Sequence, residues 1–169
     1  MGQIALFSGQ FGAPRERKSA VFSPCRTWRY ALWRVWGQAE AYCMWILINP
    51  STADETDNDP TIRRCAGYAR DLGFNAMCVT NLFAFVATSP VKMKRSWDPV
   101  GPDNDRWVMR LAKRAGMIIA GWGNDGKFAG RANEIRSMVP RIHCLHMTSI
   151  GEPGHPLYLK RALKPMELK

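Results

Sequence analysis

Polar side chains that can form hydrogen bonds follow four apolar runs of the sequence. Asn49 and Ser51 come directly after the first run, and Asn81 comes after the second. The residues after the third and fourth runs include Trp122, Asn124, His146, Thr148 and then His155. If the runs are parallel strands, their carboxyl ends meet at one edge of a sheet, where open α/β proteins bind ligands. An Asn amide carries a donor and an acceptor together, so this set suits the edge of a nucleobase.

Ser51 has the side chain of a nucleophile, but a serine needs a neighbouring base before it can attack a substrate. His146 or His155 supplies that base only if the fold brings it close to the hydroxyl. The sequence contains no GxSxG motif and neither of the glycine-rich phosphate motifs, GxxxxGK[ST] and GxGxxG. We therefore favour Asn49 over Ser51 as the working residue of this segment.

Asp54, Asp57 and Asp59 form an acidic run close behind Ser51. Clustered carboxylates can hold Mg²⁺, which prefers oxygen ligands. Asp59 also precedes Pro60, and this pair is typical of a helix start in which the aspartate caps the first turn. The other carboxylates then lie near the positive end of the helix dipole. We favour the helix start and assign no metal and no other cofactor.

Basic residues outnumber acidic residues and give the chain a net charge of +10. A strongly basic domain favours a polyanionic partner, so DNA or a nucleotide is the expected partner. The segment 86–102 is long for a loop and carries Lys92, Lys94 and Arg95 close to Trp97. Cations beside an aromatic ring suit contact with phosphate and base, and we predict that these three residues bind nucleic acid. A flexible surface loop anchored by Trp97 is the alternative.

Short apolar runs alternate with helical patterns after an aromatic-rich first strand. This order predicts an α/β protein: a three-layer α/β/α sandwich around a mainly parallel sheet of four to five strands. The first two strands, 27–36 and 42–48, are expected to form an antiparallel hairpin because their connection is short. Residues 1–24 are predicted to be a basic N-terminal arm, and residues 25–169 one domain. The other strands are predicted at 76–80, 117–122 and 141–147, and the helices at 60–72, 103–114, 127–138 and 157–163.

The five cysteines are scattered and form no CxxC pair. This spacing argues against a disulfide framework and against a zinc site, and it favours a reducing cytosol. The apolar segment near the N-terminus is shorter than a signal peptide requires. No apolar stretch approaches the ~20 residues of a membrane span. We expect a cytoplasmic protein with no membrane contact.

Seven short motifs occur in order along most of the chain. They are Arg29-Tyr30, the segment from Leu47 to Ala53, Asp59-Pro60-Thr61, Asn81-Leu82-Phe83, the segment from Asp98 to Gly101, Trp122-Gly123, and the segment from His155 to Tyr158. Together they resemble the domain-of-unknown-function 1643 family of bacteria and phages, over about residues 25–164. This resemblance names no reaction.

Three of the motifs also resemble the motif order of the uracil-DNA glycosylase superfamily. Ile48-Asn49-Pro50 resembles the motif whose Asn helps to place the attacking water. Val79-Thr80-Asn81 resembles the strand whose terminal Asn reads the flipped base. His155-Pro156 resembles the motif whose His stabilises the departing base anion and whose loop enters the DNA minor groove. The catalytic residues assigned here are Asn49 and His155, and the substrate contacts are Ser51, Asn81, Phe83, Trp122 and Asn124.

The chain departs from that superfamily in two motifs. Ser51 stands where the mismatch-specific branch has Gly, and Leu157-Tyr158 replace small residues after His-Pro. The leading hypothesis is a nucleobase-directed enzyme of uracil-DNA-glycosylase-like fold that binds a flipped base at the sheet edge. The alternatives are a non-catalytic nucleic-acid-binding module of phage or mobile-element origin and a Mg²⁺-dependent enzyme that acts on small nucleotides.

Overall fold

A computed structural model describes residues 15–168 of the chain. These residues form seven strands, four α-helices and two segments of 3-10 helix. The strands are β1 Arg17–Phe22, β2 Arg29–Val35, β3 Cys43–Leu47, β4 Ala76–Asn81, β5 Met117–Ala120, β6 Ile142–Cys144 and β7 Met166–Glu167. The α-helices are α1 Pro60–Asp71, α2 Pro90–Lys94, α3 Asn104–Ala112 and α4 Arg131–Met138, and the 3-10 segments are Asn124–Gly130 and Pro156–Tyr158.

The seven strands form one mixed sheet in the order β1-β2-β4-β3-β5-β6-β7. The pairings of β3 with β4, β3 with β5 and β5 with β6 are parallel, and the other three are antiparallel. The predicted α/β class is therefore confirmed. The prediction of a mainly parallel sheet of four to five strands is not confirmed, because antiparallel strands extend both edges of the parallel centre.

The predicted hairpin between residues 27–36 and 42–48 is wrong, because β4 lies between β2 and β3. Every residue of β3 is buried, and both of its edges are hydrogen bonded to parallel neighbours. A run that is apolar on both faces is typical of such a central strand, and it leaves no edge for β2. The partner of β2 on its outer edge is β1, which belongs to the segment predicted as an arm. Residues 1–14 of that segment lie outside the described residues.

The sheet separates two apolar cores. Alternate residues of β3 enter opposite cores: Trp45 packs on the side of α1, and Met44 and Ile46 pack on the side of α3 and α4. This alternation follows from the two-residue period of a strand. Helices therefore cover both faces of the sheet. Within residues 15–168, no helix is long and apolar enough to cross a membrane.

The helix start predicted at Asp59 is confirmed. The Asp59 carboxylate accepts a 2.8 Å hydrogen bond from the main-chain N–H of Ile62, and Pro60 occupies the first helical position. The long segment 86–102 differs from the predicted loop because it contains α2, which begins after the capping residue Ser89. The predicted last helix shortens to the 3-10 turn Pro156–Tyr158.

The end of this long segment packs against Trp28. The indole N–H of Trp28 donates to the carbonyl of Asp98 at 2.9 Å. Gly101 has a φ of +86°, and a Cβ at this position would lie 2.6 Å from an indole carbon of Trp28. Only glycine fits both the left-handed backbone and the contact. The Asp98-to-Gly101 motif therefore fixes the connection between β4 and α3.

We predict that Gly101→Ala lowers the free energy of unfolding by at least about 2 kcal/mol, because it adds left-handed strain and a clash with Trp28. Gly67→Ala is the matched control, since Gly67 lies inside α1 with no atom within 4 Å of the new Cβ. That change should stabilise the protein by about 0.5–1 kcal/mol. Urea denaturation measures both values, and equal effects of the two variants would contradict the assignment.

Candidate functional site

A cavity of about 610 Å³ opens at the carboxyl ends of β3, β4 and β5. It brings together most of the residues selected from the sequence. Those that line it are Asn49, Ser51, Asn81, Trp122, Asn124, His146, Thr148 and His155. Phe83, Lys92, Lys94 and Arg95 do not line it. Parallel strands end on the same side of a sheet, so segments distant in sequence form one wall.

Asn81 is the most deeply buried of these polar residues, with 1% of its surface exposed. It is the last residue of β4, and its partner in the register is Leu47 of β3. Neither its amide nitrogen nor its amide oxygen has a hydrogen-bond partner within residues 15–168. Buried amides are almost always paired with protein or with an ordered water, so an unpaired amide in a cavity wall is unusual.

Two hydrogen bonds from its amide nitrogen hold the side chain of Asn49 in one orientation. The nitrogen donates to the carbonyl of Pro50 at 2.9 Å and to the carbonyl of Ala87 at 2.8 Å. Both amide hydrogens are thereby used, and the side-chain oxygen is left as an acceptor. Asn49 can therefore accept a hydrogen bond from a water or a ligand in the cavity.

His155 presents a defined tautomer. Its Nδ1 accepts a 3.4 Å hydrogen bond from the main-chain N–H of Leu157, so the proton of the neutral ring is on Nε2. Burial lowers the pKa of His155 below its ordinary value of 6.5, and the negative charge of Asp59 opposes that shift. The neutral ring is favoured near pH 7, and Nε2–H is a donor.

We predict that His155 titrates below pH 6.5 in the folded protein, because burial disfavours the imidazolium. Since the folded pKa is lowered, the stabilisation is complete above pH 6.5 and is lost as the pH falls from there to the folded pKa. An NMR titration of the His155 ring measures the pKa. His155→Gln, followed by unfolding between pH 5 and 7.5, should remove that part of the pH dependence. A ring pKa above 6.5 would contradict the burial argument.

The side chain of Trp122 is fixed by a buried carboxylate. The indole N–H donates to Glu152 at 2.6 Å, and Arg136 donates to the same carboxylate at 3.3 Å. Glu152 is 4% exposed, so the two donors compensate a buried charge. This contact ties the loop after β6 to the end of β5, and it places the Trp122 ring in the cavity wall.

Phe83 has a packing role in this fold. It is fully buried in the core on the α3 and α4 side of the sheet, and its ring lies 5.6 Å from that of Phe128. Only Leu82 separates it from Asn81, but the chain has left β4 and Phe83 faces the interior. Phe83 does not line the cavity, so this geometry does not support its predicted contact with the substrate.

The predicted nucleic-acid-binding residues lie at or beside the rim of the cavity. Lys94 forms a 2.5 Å ion pair with Asp125, and Lys92 donates to the hydroxyl of Thr88 at 3.2 Å. Both acceptor residues line the cavity, whereas the lysines do not. Arg95 is exposed at the end of α2.

Hydrogen bonds from Arg34 hold the acidic run in place. Arg34 donates to the carbonyls of Asp54 and Asp57 at 2.7 and 2.9 Å and to the side chain of Asn58 at 2.6 Å. The Asp54 carboxylate accepts the main-chain N–H groups of Asp57 and Thr56, which lower its pKa to about 2. Within residues 15–168, no group of three or more His, Cys, Asp or Glu is arranged to hold a metal ion. These contacts account for the acidic run as a segment that hydrogen bonds hold in place before the start of α1.

Ser51 lines the cavity, but its hydroxyl forms no hydrogen bond with His146 or His155. The cavity also contains polar residues that the sequence arguments did not assign to the site. They are Arg29, Asp59, Thr61, Thr88, Ser89 and Asp125. Arg29 was missed because β2 runs antiparallel to β4, which brings the first residue of β2 to the carboxyl end of β4.

The fold and cavity define a mixed α/β protein with a ligand-sized site at the carboxyl edge of its parallel strands. The chain belongs to the family described as protein of unknown function (DUF1643), which matches residues 29–157. The match begins at Arg29 and includes every cavity-lining residue except Tyr158 and Leu159. No curated protein and no solved structure matches the chain. The resemblance to uracil-DNA glycosylases therefore stays a prediction.

Proposed function

We propose that this protein is a nucleobase-directed enzyme, similar to a DNA glycosylase, that takes a flipped base into the cavity. The observation that carries the proposal is the unpaired amide of Asn81. A buried polar group without a partner costs about 1–3 kcal/mol. A ligand that offers one donor and one acceptor removes this cost, and the edge of a nucleobase does so.

The other residues suit the cleavage of the bond between base and sugar. A water held by the Asn49 oxygen attacks the sugar carbon, the carbon–nitrogen bond breaks, and the electron pair leaves with the base. The Nε2–H of His155 donates to the departing base and stabilises its negative charge. The proton lost by the water passes to Asp59, since the other cavity carboxylate, Asp125, is paired with Lys94.

The order of the site motifs supports the same reaction class. The three segments that resemble the glycosylase motifs contribute Asn49, Asn81 and His155, and all three residues line one cavity. Four adjacent strands, β4-β3-β5-β6, supply a parallel centre for these segments. This arrangement supports the proposed resemblance to the uracil-DNA glycosylases.

We predict that Asn81→Leu reduces base release at least 100-fold and leaves the free energy of unfolding unchanged or raises it by about 1 kcal/mol, because it removes an unpaired buried amide. Asn104→Ala is the control. Asn104 donates to the carbonyls of Asn81 and Leu82 at 3.0 Å, so its loss should destabilise by about 1–3 kcal/mol. Release is assayed on single- and double-stranded oligonucleotides that carry mismatched or modified bases. Full activity of Asn81→Leu on a cleaved substrate would refute the role.

A second candidate function, a non-catalytic nucleic-acid-binding module, is favoured by the exposed surface of α3. We define the α3 basic surface as Arg106 and Arg110 of α3 together with Lys113 and Arg114, which directly follow the helix; all four are exposed. Among the described residues, only Arg106 of this set forms an ion pair, a long one of 3.9 Å with Asp103. Unpaired cations on one surface attract a phosphate backbone.

Arg110→Glu should weaken DNA binding and reduce the salt dependence of the binding constant by about one phosphate contact. The matched control is Lys164→Glu, which changes the net charge equally at an exposed site away from α3. Binding is measured by fluorescence anisotropy at several salt concentrations. If both variants weaken binding equally, net charge accounts for the effect and the α3 basic surface has no specific role.

A further inference from the structure

We infer that the cavity contains an anion subsite at Arg29, so that its ligand is a phosphorylated nucleoside with the base at Asn81 and the phosphate at Arg29. This inference rests on the proposed function, because it names the substrate class of the same cavity. Phosphate recognition adds a second contact that a free base does not offer. The argument depends on the charge, burial and hydrogen bonds of Arg29.

Arg29 is a buried cation with an incomplete set of partners. Only 3% of its surface is exposed, and it lines the cavity. One guanidinium nitrogen, Nη1, donates to the carbonyl of Ala53, whereas the buried Nε has no partner within residues 15–168. No described carboxylate forms an ion pair with it. A buried charge without a counter-ion is costly, and a bound anion compensates it.

Arg29 remains charged at neutral pH. Burial lowers its pKa to about 10, and the negative charges of Asp59 and Asp54 oppose this shift. A guanidinium binds phosphate through parallel N–H donors in a fixed geometry, which makes arginine a common phosphate ligand. Arg29 lines the cavity, so a phosphate bound there lies beside this guanidinium group.

Thr61 offers further donors in the same cavity. It is the second residue of α1, a helix of 12 residues, and it lines the cavity. The N–H of Ile62 is taken by the Asp59 cap, but the N–H of Thr61 has no acceptor inside the helix. Its hydroxyl and N–H can both donate to a phosphate at the positive end of the helix.

The anion subsite and the Asn81 amide lie on neighbouring strands. The N–H of Arg29 donates to the carbonyl of Ala84 at 2.9 Å, so β2 begins beside the segment that directly follows β4. Neighbouring strands are about 4.8 Å apart. The cavity volume of about 610 Å³ lies in the range of sites for small molecules. One cavity can therefore hold a base at Asn81 and a phosphate at Arg29.

The negative charge of Asp59 opposes anion binding. Removing that charge should therefore increase the affinity for phosphate, which gives a test. Asp59 lines the cavity and its charge acts on Arg29. Asp59→Asn removes the charge and keeps the helix cap, because Asn caps helices as well as Asp does. If phosphate binds at Arg29, this variant should bind it several-fold more tightly. A purely structural role of Arg29, as the tether of Ala53, predicts no such gain.

The experiment measures the affinity of the full chain for four probes by NMR titration or calorimetry. The probes are inorganic phosphate, nucleosides, the matching nucleoside 5′-monophosphates and short single-stranded oligodeoxynucleotides. Wild type should bind monophosphates at least tenfold more tightly than nucleosides. Arg29→Lys, which keeps the charge but loses the planar donors, should reduce that difference to less than threefold. Thermal unfolding checks that each variant is folded.

The outcomes separate this inference from the proposed function. If nucleosides bind through Asn81 and the phosphate adds no affinity, the anion subsite is refuted and the base site stands. If phosphate binding depends on Arg29 but Asn81→Leu changes nothing, the base site fails and the anion subsite stands. Tighter binding of monophosphates than of oligonucleotides identifies a free nucleotide as the source, and the reverse identifies a strand. If Arg29→Lys does not fold, Asp59→Asn decides: a gain in phosphate affinity supports the subsite, and no gain refutes it.

Discussion

The burial of β3 is the constraint on which the rest of the structure depends. Each residue of Cys43–Leu47 is buried, and parallel strands occupy both edges. A strand of this kind must be covered by helices on both faces. The chain can therefore leave it only beyond the carboxyl end of the strand. Asn49 and Pro50 stand at that exit. The cavity forms where the strands on either side of β3 also end.

Hydrogen bonds to main-chain carbonyls stabilise the edge of the cavity. Asn49 binds the carbonyls of Pro50 and Ala87, and Arg29 binds that of Ala53. Arg34 extends the same pattern along the acidic run, since it binds the carbonyls of Asp54 and Asp57 as well as a side chain. The acidic run thus lies close to arginine, which explains how a basic protein keeps three aspartates beside its candidate site.

Two buried polar groups break this pattern of satisfied contacts. Among the described residues, eight have buried side-chain atoms without a hydrogen-bond partner, and Asn81 and Arg29 are the two of them that line the cavity. Unfavourable local features such as unpaired buried polar groups are expected at functional sites, because a bound ligand offsets their free-energy cost. The strand-end rule predicted Asn81 from sequence. It missed Arg29, because that residue reaches the same edge from the start of an antiparallel strand.

The sequence by itself determined the class of fold, the α1 start at Asp59 and the segments that meet at the cavity. These are local properties: apolar runs, a capping aspartate before proline, and polar residues at strand ends. Only the tertiary structure decided strand order and the burial of single side chains. It placed β4 between β2 and β3, turned Phe83 into the core, and left the Asn81 amide unpaired. The physical reason is that pairing and burial depend on contacts between residues far apart in the chain, which local patterns do not encode.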